Sequence, residues 1–464
     1  MKVGIGSCRA VPSFTTKPNG LMWGLGWIVA LSVGMSAEAA DLQARIRATP
    51  PGGTLRVPAG RYAGPIWLDR SIRLIGEGWP VLEAGGRGAV VWIQADDVTL
   101  EGFVIRGSGE SLTDEDAGVR VENARRVRIV GNRLEDVLFG IYLKNVHDSA
   151  ITANTIVGKD LPLGRRGDGI RLWWSHDNVI RGNVVAHSRD VIAWFSRNNR
   201  FEANTVTDSR YGLHFMYAQD ADVRQNRFER NSTGIVVMYS ERVRLVENDI
   251  ARHDGPSAVG ILLKDSDDIE VLRNRIVWNK AGIFWDDSPA RTDAWNEVRE
   301  NLLLWNVVAF VFQPNVRQNR IAHNFIVENL QSVEIPGGGT LTGNEWTRDG
   351  RGNFWSDYVG YDLQGDGVGD VPYRAEAVLD RLTDRYPQLR LLAWSPAGLV
   401  LEGVGRLLPV FPTRPRIEDP RPLTDLPATF RPVFPQEGDG PVVWGLGGLA
   451  LVLLGGLLIK AVRP

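Results

Sequence analysis

The sequence predicts an all-β fold, a right-handed parallel β-helix wound from coils of about 22 residues, on three observations. Asparagine recurs at Asn132, Asn154, Asn183, Asn204, Asn226, Asn248, Asn274, Asn301 and Asn324, most commonly in steps of 22. A small residue stands eight positions after most of them, at Gly140, Gly212, Gly234, Gly282, Ala309 and Ser332. Gly169 and Gly260 fill that role where residues are inserted, as in "GKDLPLGRRGD". An apolar strand follows each small residue ("GIYLK", "GIRLW", "GLHFM", "GIVVM", "GILLK", "GIFWD") and a second short strand precedes each asparagine ("RVRIVGN", "RVRLVEN"). Short strands between turns with no helical period define a β-solenoid unit. Stacked asparagines form a ladder, because each amide can both donate to and accept from the next. A leucine-rich solenoid is disfavoured: its leucine signature is absent and no coil holds a helical stretch.

The elements follow in order. Residues 1–39 read as a secretory signal: Lys2, Arg9 and Lys17 precede the apolar run Leu21–Met35, and Ala37 and Ala39 fit an A-x-A cleavage site. Residues 40–345 form the coiled body, its first coils irregular ("GTLRVPAG", "VTLEGFVI"). Residues 346–408 are expected to form a cap dense in Asp, Gly and aromatics, then short amphipathic helices broken at Pro387 and Pro396. Residues 409–440, dense in proline, read as a semi-rigid linker. Residues 441–462 read as a single transmembrane helix, with Lys460 and Arg463 marking a cytoplasmic end.

At 464 residues the chain exceeds an ordinary single core, and its formal charge of −2 offers no basic excess for nucleic acid. The one cysteine, Cys8, lies in the leader, so the mature chain would carry no thiol, which suits an oxidising compartment.

Beyond the leader there are two methionines, Met216 and Met238, and the repeat places them in register. Strand alternation turns Leu213 and Phe215 inward, so His214, Met216 and Met238 face outward on adjacent coils. Thioether sulfur selects Cu(I), and imidazole binds copper well, so these three residues are candidate Cu(I) ligands. The competing reading is an apolar contact patch. His147 and His176, each seven residues before a ladder asparagine, stack at one turn and are weaker metal candidates or turn fillers. His187, His253 and His323 show no comparable partner. No catalytic constellation stands out. Asp168, Asp190 and Asp208 lie near strand starts, and Asp190 and Asp208 can approach one another, but turns are rich in Asp in any case. Trp173, Trp174, Trp194, Trp278, Trp285 and Trp305 could stack on sugars or fill the core. Asp362, Asp366 and Asp370 recur every fourth residue and could offer oxygen to Ca²⁺, although the spacing is not that of an EF-hand; a cap loop is the simpler reading.

The stretches "IYLKNVHDS", "RYGLHFMYA", "GIVVMYS" and "GNFWSDYVGYDLQGDGVGDVPY" together resemble the NosD family, over about residues 41–432. The last stretch is the most specific. The resemblance implies a periplasmic β-helical copper protein of nitrous oxide reductase maturation, not an enzyme. It implies work with an ABC transporter (ATPase NosF, membrane subunit NosY), copper from the chaperone NosL, and NosZ as the client whose copper–sulfur cluster is assembled. Copper, as Cu(I), would be held transiently. The C-terminal helix would tether the protein to the inner membrane. The resemblance assigns no ligand residue by residue. Two other readings remain open: an exported polysaccharide-binding or polysaccharide-cleaving β-helix, and a scaffold that binds partners without metal.

Overall fold

The structure, a computed structural model, describes residues 42–375 and 415–426. The expected signal, the amphipathic helices from 376 and the transmembrane span lie outside the described residues. Among those residues, no helix is long and apolar enough to cross a membrane.

The body is an all-β parallel solenoid of three long sheets. Sheet A has 12 strands, from Thr54–Val57 to Asn319–Ala322. Sheet B has 13, from Arg61–Ala63 to Phe354–Trp355. Sheet C has 12, from Ile66–Leu68 to Gln331–Glu334. Each coil gives one strand to each sheet, and every neighbour within these sheets is the equivalent strand of the next coil. The coiled region therefore differs from the expected 40–345 at both ends. A helix over 42–48 precedes the first strand and buries Leu42 and Ile46, one turn apart, over the open first coil. Sheet B meanwhile runs on to Trp355.

Period-two patterning fills the interior. Leu213, Phe215, Ile235, Val237, Ile261, Leu263, Ile283 and Trp285 are all fully buried, two per coil. Trp285 is thereby a core residue rather than a sugar platform. The asparagines stand at the corner between sheets A and B. At each rung, one asparagine's Oδ1 accepts the main-chain N–H and the side-chain amide of the asparagine one coil earlier, as from Asn204 to Asn226 (both 2.9 Å). Nδ2 also donates to a strand carbonyl, as from Asn226 to Phe201 (2.8 Å). This settles buried polar groups that would each cost about 1–3 kcal/mol if unpaired. The small residue at the start of each sheet C strand has a steric cause. A Cβ on Gly212 would lie 2.6 Å from the carbonyl oxygen of Gly234, and one on Gly234 would lie 2.5 Å from that of Gly260.

The far end is closed by residues 346–375 together with 415–426. Trp355 stacks on Tyr373 (4.3 Å, 10°), and Trp346 packs beside Trp355. Glu418–Asp419 pairs antiparallel with Tyr373–Arg374. Part of the expected linker is thus part of the cap, because Ile417 and Asp419 are buried there and Leu423 packs with Val368. In the acidic loop, Asp362 accepts main-chain N–H groups of Gly365 (2.6 Å) and Gly367 (2.8 Å), and Asp370 accepts that of Leu363 (2.7 Å). These carboxylates hold their own loop.

Candidate functional site

The outer face of sheet C carries the candidate residues. Trp173, Trp194, Met216, Met238, Lys264 and Asp286 occupy one row, paired in register from coil to coil. Met216 and Met238 are direct neighbours, both half-buried. Lys264 is drawn away from Met238 by an ion pair with Asp286 (2.5 Å). The next outward row contains Arg171, Ile192, His214, Val236 and Leu262. His214 is on the same outer face as the methionines but only 6% exposed. Tyr211 covers it edge-on at 5.2 Å, and its Nδ1 lies 3.2 Å from Asp190 Oδ2. Its Nε2 is buried and finds no partner among the described residues.

Buried charge surrounds this histidine. Arg210 grips Asp190 with two nitrogens (2.9 and 2.5 Å), and Arg189 grips Asp168 likewise (2.9 and 3.1 Å). Burial, then the Asp190 charge, pushes the Asp168 carboxyl above its ordinary value. Burial opposes the Asp190 charge too, but hydrogen bonds from His214 and Arg210 outweigh it and hold that carboxyl low. In the Nδ1–H tautomer His214 donates to Asp190, and Nε2 then carries the ring lone pair. The sequence suggested Asp190 near Asp208. The structure instead sets Asp190 beside Asp168, while Asp208 pairs with Arg230 at another corner (3.0 Å). Each of these three acids is thus paired with an arginine of its own.

One feature was missed in the sequence. Trp174, Phe195, Tyr217 and Tyr239 occupy the corner just after the Met row, all in the left-handed region with φ of 50–52°. They stack coil upon coil, with centroids 5.0, 5.2 and 5.0 Å apart. The signal was the run of dipeptides "WW", "WF", "MY", "MY" at steps of 21, 22 and 22. Trp278 and Trp305 form a separate outward pair (5.3 Å) at a sheet B corner.

His147 and His176 do stack, with ring centroids 4.9 Å apart. Both are occupied as turn acceptors: His147 Nδ1 takes the main-chain N–H of His176 (3.3 Å), and His176 Nδ1 takes that of Arg197 (3.1 Å). Burial lowers the pKa of both; for His176 the neighbouring His147 adds to it. The same column continues through Arg197, Gln219, Glu241 and Asp267. His253, expected to lack a comparable partner, is a buried rung of a second ladder. Its Nδ1 accepts the Asn231 N–H (3.1 Å), and its own N–H goes to Asn279 (3.2 Å). Among the described residues no group of three or more His, Cys, Asp or Glu is disposed to hold a metal.

Fold and site together describe a β-solenoid with two methionines in register on the outer face of sheet C. The A-module of the Azotobacter vinelandii mannuronan C-5 epimerase AlgE6 shares the fold, with a TM-score of 0.52 and 13% identity over 67% of this chain and 94% of that one. Residues 153–360 match the family described as periplasmic copper-binding protein (NosD). A probable ABC transporter binding protein NosD from Pseudomonas aeruginosa is 32% identical over 81% of this chain and 89% of its own length. Its counterpart in Stutzerimonas stutzeri is 31% identical over 80% and 87%. The chain belongs to the NosD family.

Proposed function

We propose that this protein handles copper as cargo in the periplasm, as a non-enzymatic partner of an ABC transporter. In the fuller reading, NosL supplies Cu(I), NosF and NosY supply ATP-driven movement, and NosZ receives copper during cluster assembly. A cleaved signal would export the chain, and the span at 441–462 would tether it to the inner membrane. The observation that carries the copper reading is the register of Met216 on Met238 on an outer sheet face. Adjacent strands lie about 4.8 Å apart, so two thioethers there reach one ion. His214 Nε2, buried and with no partner among the described residues, would be a third donor if the side chain moved out from under Tyr211. Such a donor set, with no thiolate, favours Cu(I) while still letting it leave. At His147 and His176 a second, weaker metal position would have to use Nε2 atoms and displace the bond between His147 Nε2 and Asn145 Oδ1 (3.0 Å).

The test is anaerobic titration of the purified protein with Cu(I) against a competing chelator, beside the Met216→Ala/Met238→Ala variant. Wild-type binding lost in the variant is the expected result. Equal binding in both would remove the methionines from the site, and no binding in either would leave a scaffold.

A further inference from the structure

The Met216–Met238 row has an indole at one end. Trp194 pairs directly with Met216, which pairs with Met238. The neighbouring corner stack lies nearly parallel to that indole. Phe195 and Tyr217 are one coil apart, parallel to within 5°, with centroids 5.2 Å apart. Trp194 is within 19° of the Phe195 plane. Trp194 precedes Met216 by one coil in the same outward row. On its other side Trp173 meets it edge-on, at 4.8 Å and 68°. No hydrogen bond accounts for the pose, since the buried Trp194 Nε1 has no partner among the described residues.

We propose that Trp194 is the aromatic wall of the thioether site. Its π face would contact the Cu(I) held by Met216 and Met238 and keep water from that side. A cation over an indole face is attracted by the ring quadrupole, most strongly where water is excluded. Two thioethers supply no negative charge, so a π face adds electrostatic stabilisation without forming a permanent site. At the other end of the row, the Asp286 ion pair directs Lys264 Nζ away from Met238. This inference rests on the copper reading of the methionine pair.

The experiment uses the full chain under anaerobic conditions, with Cu(I) alone as the probe. Affinity is read by chelator competition and the contact by tryptophan emission. In the wild type Cu(I) should quench part of the emission. Trp194→Leu should weaken binding about three- to thirty-fold, and Trp194→Phe less, because it keeps a π face. The Trp194→Phe variant should also lose the quench, while Trp278→Phe, at the distant sheet B corner, should retain it. If Met216→Ala/Met238→Ala abolishes binding but both Trp194 variants keep affinity and quench, the indole is only a packing neighbour and the inference falls while the copper reading stands. If the wild type does not bind, or the methionine variant binds normally, both fall. Should Trp194→Leu fail to fold, the emission change in Trp194→Phe decides the case.

Discussion

His253 shows how much one buried side chain can set. It occupies a rung that asparagine fills in neighbouring coils, at Asn231, Asn279 and Asn306. Burial depresses its pKa to about 3. The fold therefore binds a proton on this ring less readily than the unfolded chain does. The resulting stability is intact above the ordinary histidine value and is lost as pH falls from there toward about 3. At pH 5 the loss amounts to about 2 kcal/mol. His253→Asn supplies an Oδ1 acceptor in place of Nδ1 and has no proton to take up. We expect the variant to melt within a few degrees of wild type at pH 7.5 and above it at pH 5. Melting curves at the two pH values check this, and parallel acid sensitivity in both proteins would place the titration elsewhere. This rung was illegible in the sequence for a physical reason. The slot needs only an acceptor for a main-chain N–H, and the chain supplies it as hydroxyl, amide or imidazole at Ser209, Asn231 and His253.

At the scale of the element, the first ladder was legible because its slot is more demanding. Beyond the first rung each member accepts twice and its Nδ2 donates at least twice, as at Asn204 and Asn226, which a hydroxyl with one proton cannot do. That requirement produced the period and the sheets. Removing one rung tests it. Asn226→Ala strands the Asn204 main-chain N–H, the Asn204 amide and the Phe201 carbonyl, all inside the corner. With two or three buried groups unpaired at about 1–3 kcal/mol each, the cost is several kcal/mol. In a solenoid the loss falls on neighbouring coils. Hydrogen exchange should accelerate in the strands flanking Asn204 and Asn226 and stay slow near Trp355. Uniform acceleration along the chain would show that the coils unfold as one unit. The outer face of sheet C was only half legible. Alternation placed Met216 and Met238 correctly, because register follows from the repeat. It could not show that Asp190 and Tyr211 cover His214, since that cover comes from side chains of the same and preceding coils.

At the scale of the whole molecule, the difficulty is how the ladder ends. Met216 and Met238 lie on the seventh and eighth strands of the 12 in sheet C, well inside the solenoid, so their spacing depends on an axis held at both ends. At the far end the last asparagine, Asn353, has no further coil to bond. Asp419 takes that place from a segment that returns over the cap. Its Oδ2 accepts from the Asn353 N–H (2.8 Å), the Asn353 amide (3.2 Å) and the Trp355 indole (3.0 Å). Burial raises its pKa above the ordinary aspartate value despite these bonds. A raised carboxyl pKa means that the charge opposes folding. That penalty is present above the folded-state pKa and is relieved as pH falls toward the unfolded value, opposite in sign to the effect of His253. Asp419→Asn would continue the ladder by one ordinary rung and lose mainly the Arg421 N–H bond (3.2 Å). We expect its stability to stay within about 1 kcal/mol of wild type at pH 7. Asp419→Ala leaves three buried donors unpaired and should cost about 3 kcal/mol or more. Melting temperatures of the two variants, with hydrogen exchange at Phe354 and Trp355, separate the cases. If Asp419→Asn proves as damaging as Asp419→Ala, the charge itself is needed. If both resemble wild type, the returning segment does not close the solenoid, and the coil end must be held by the Trp346–Trp355–Tyr373 stack alone.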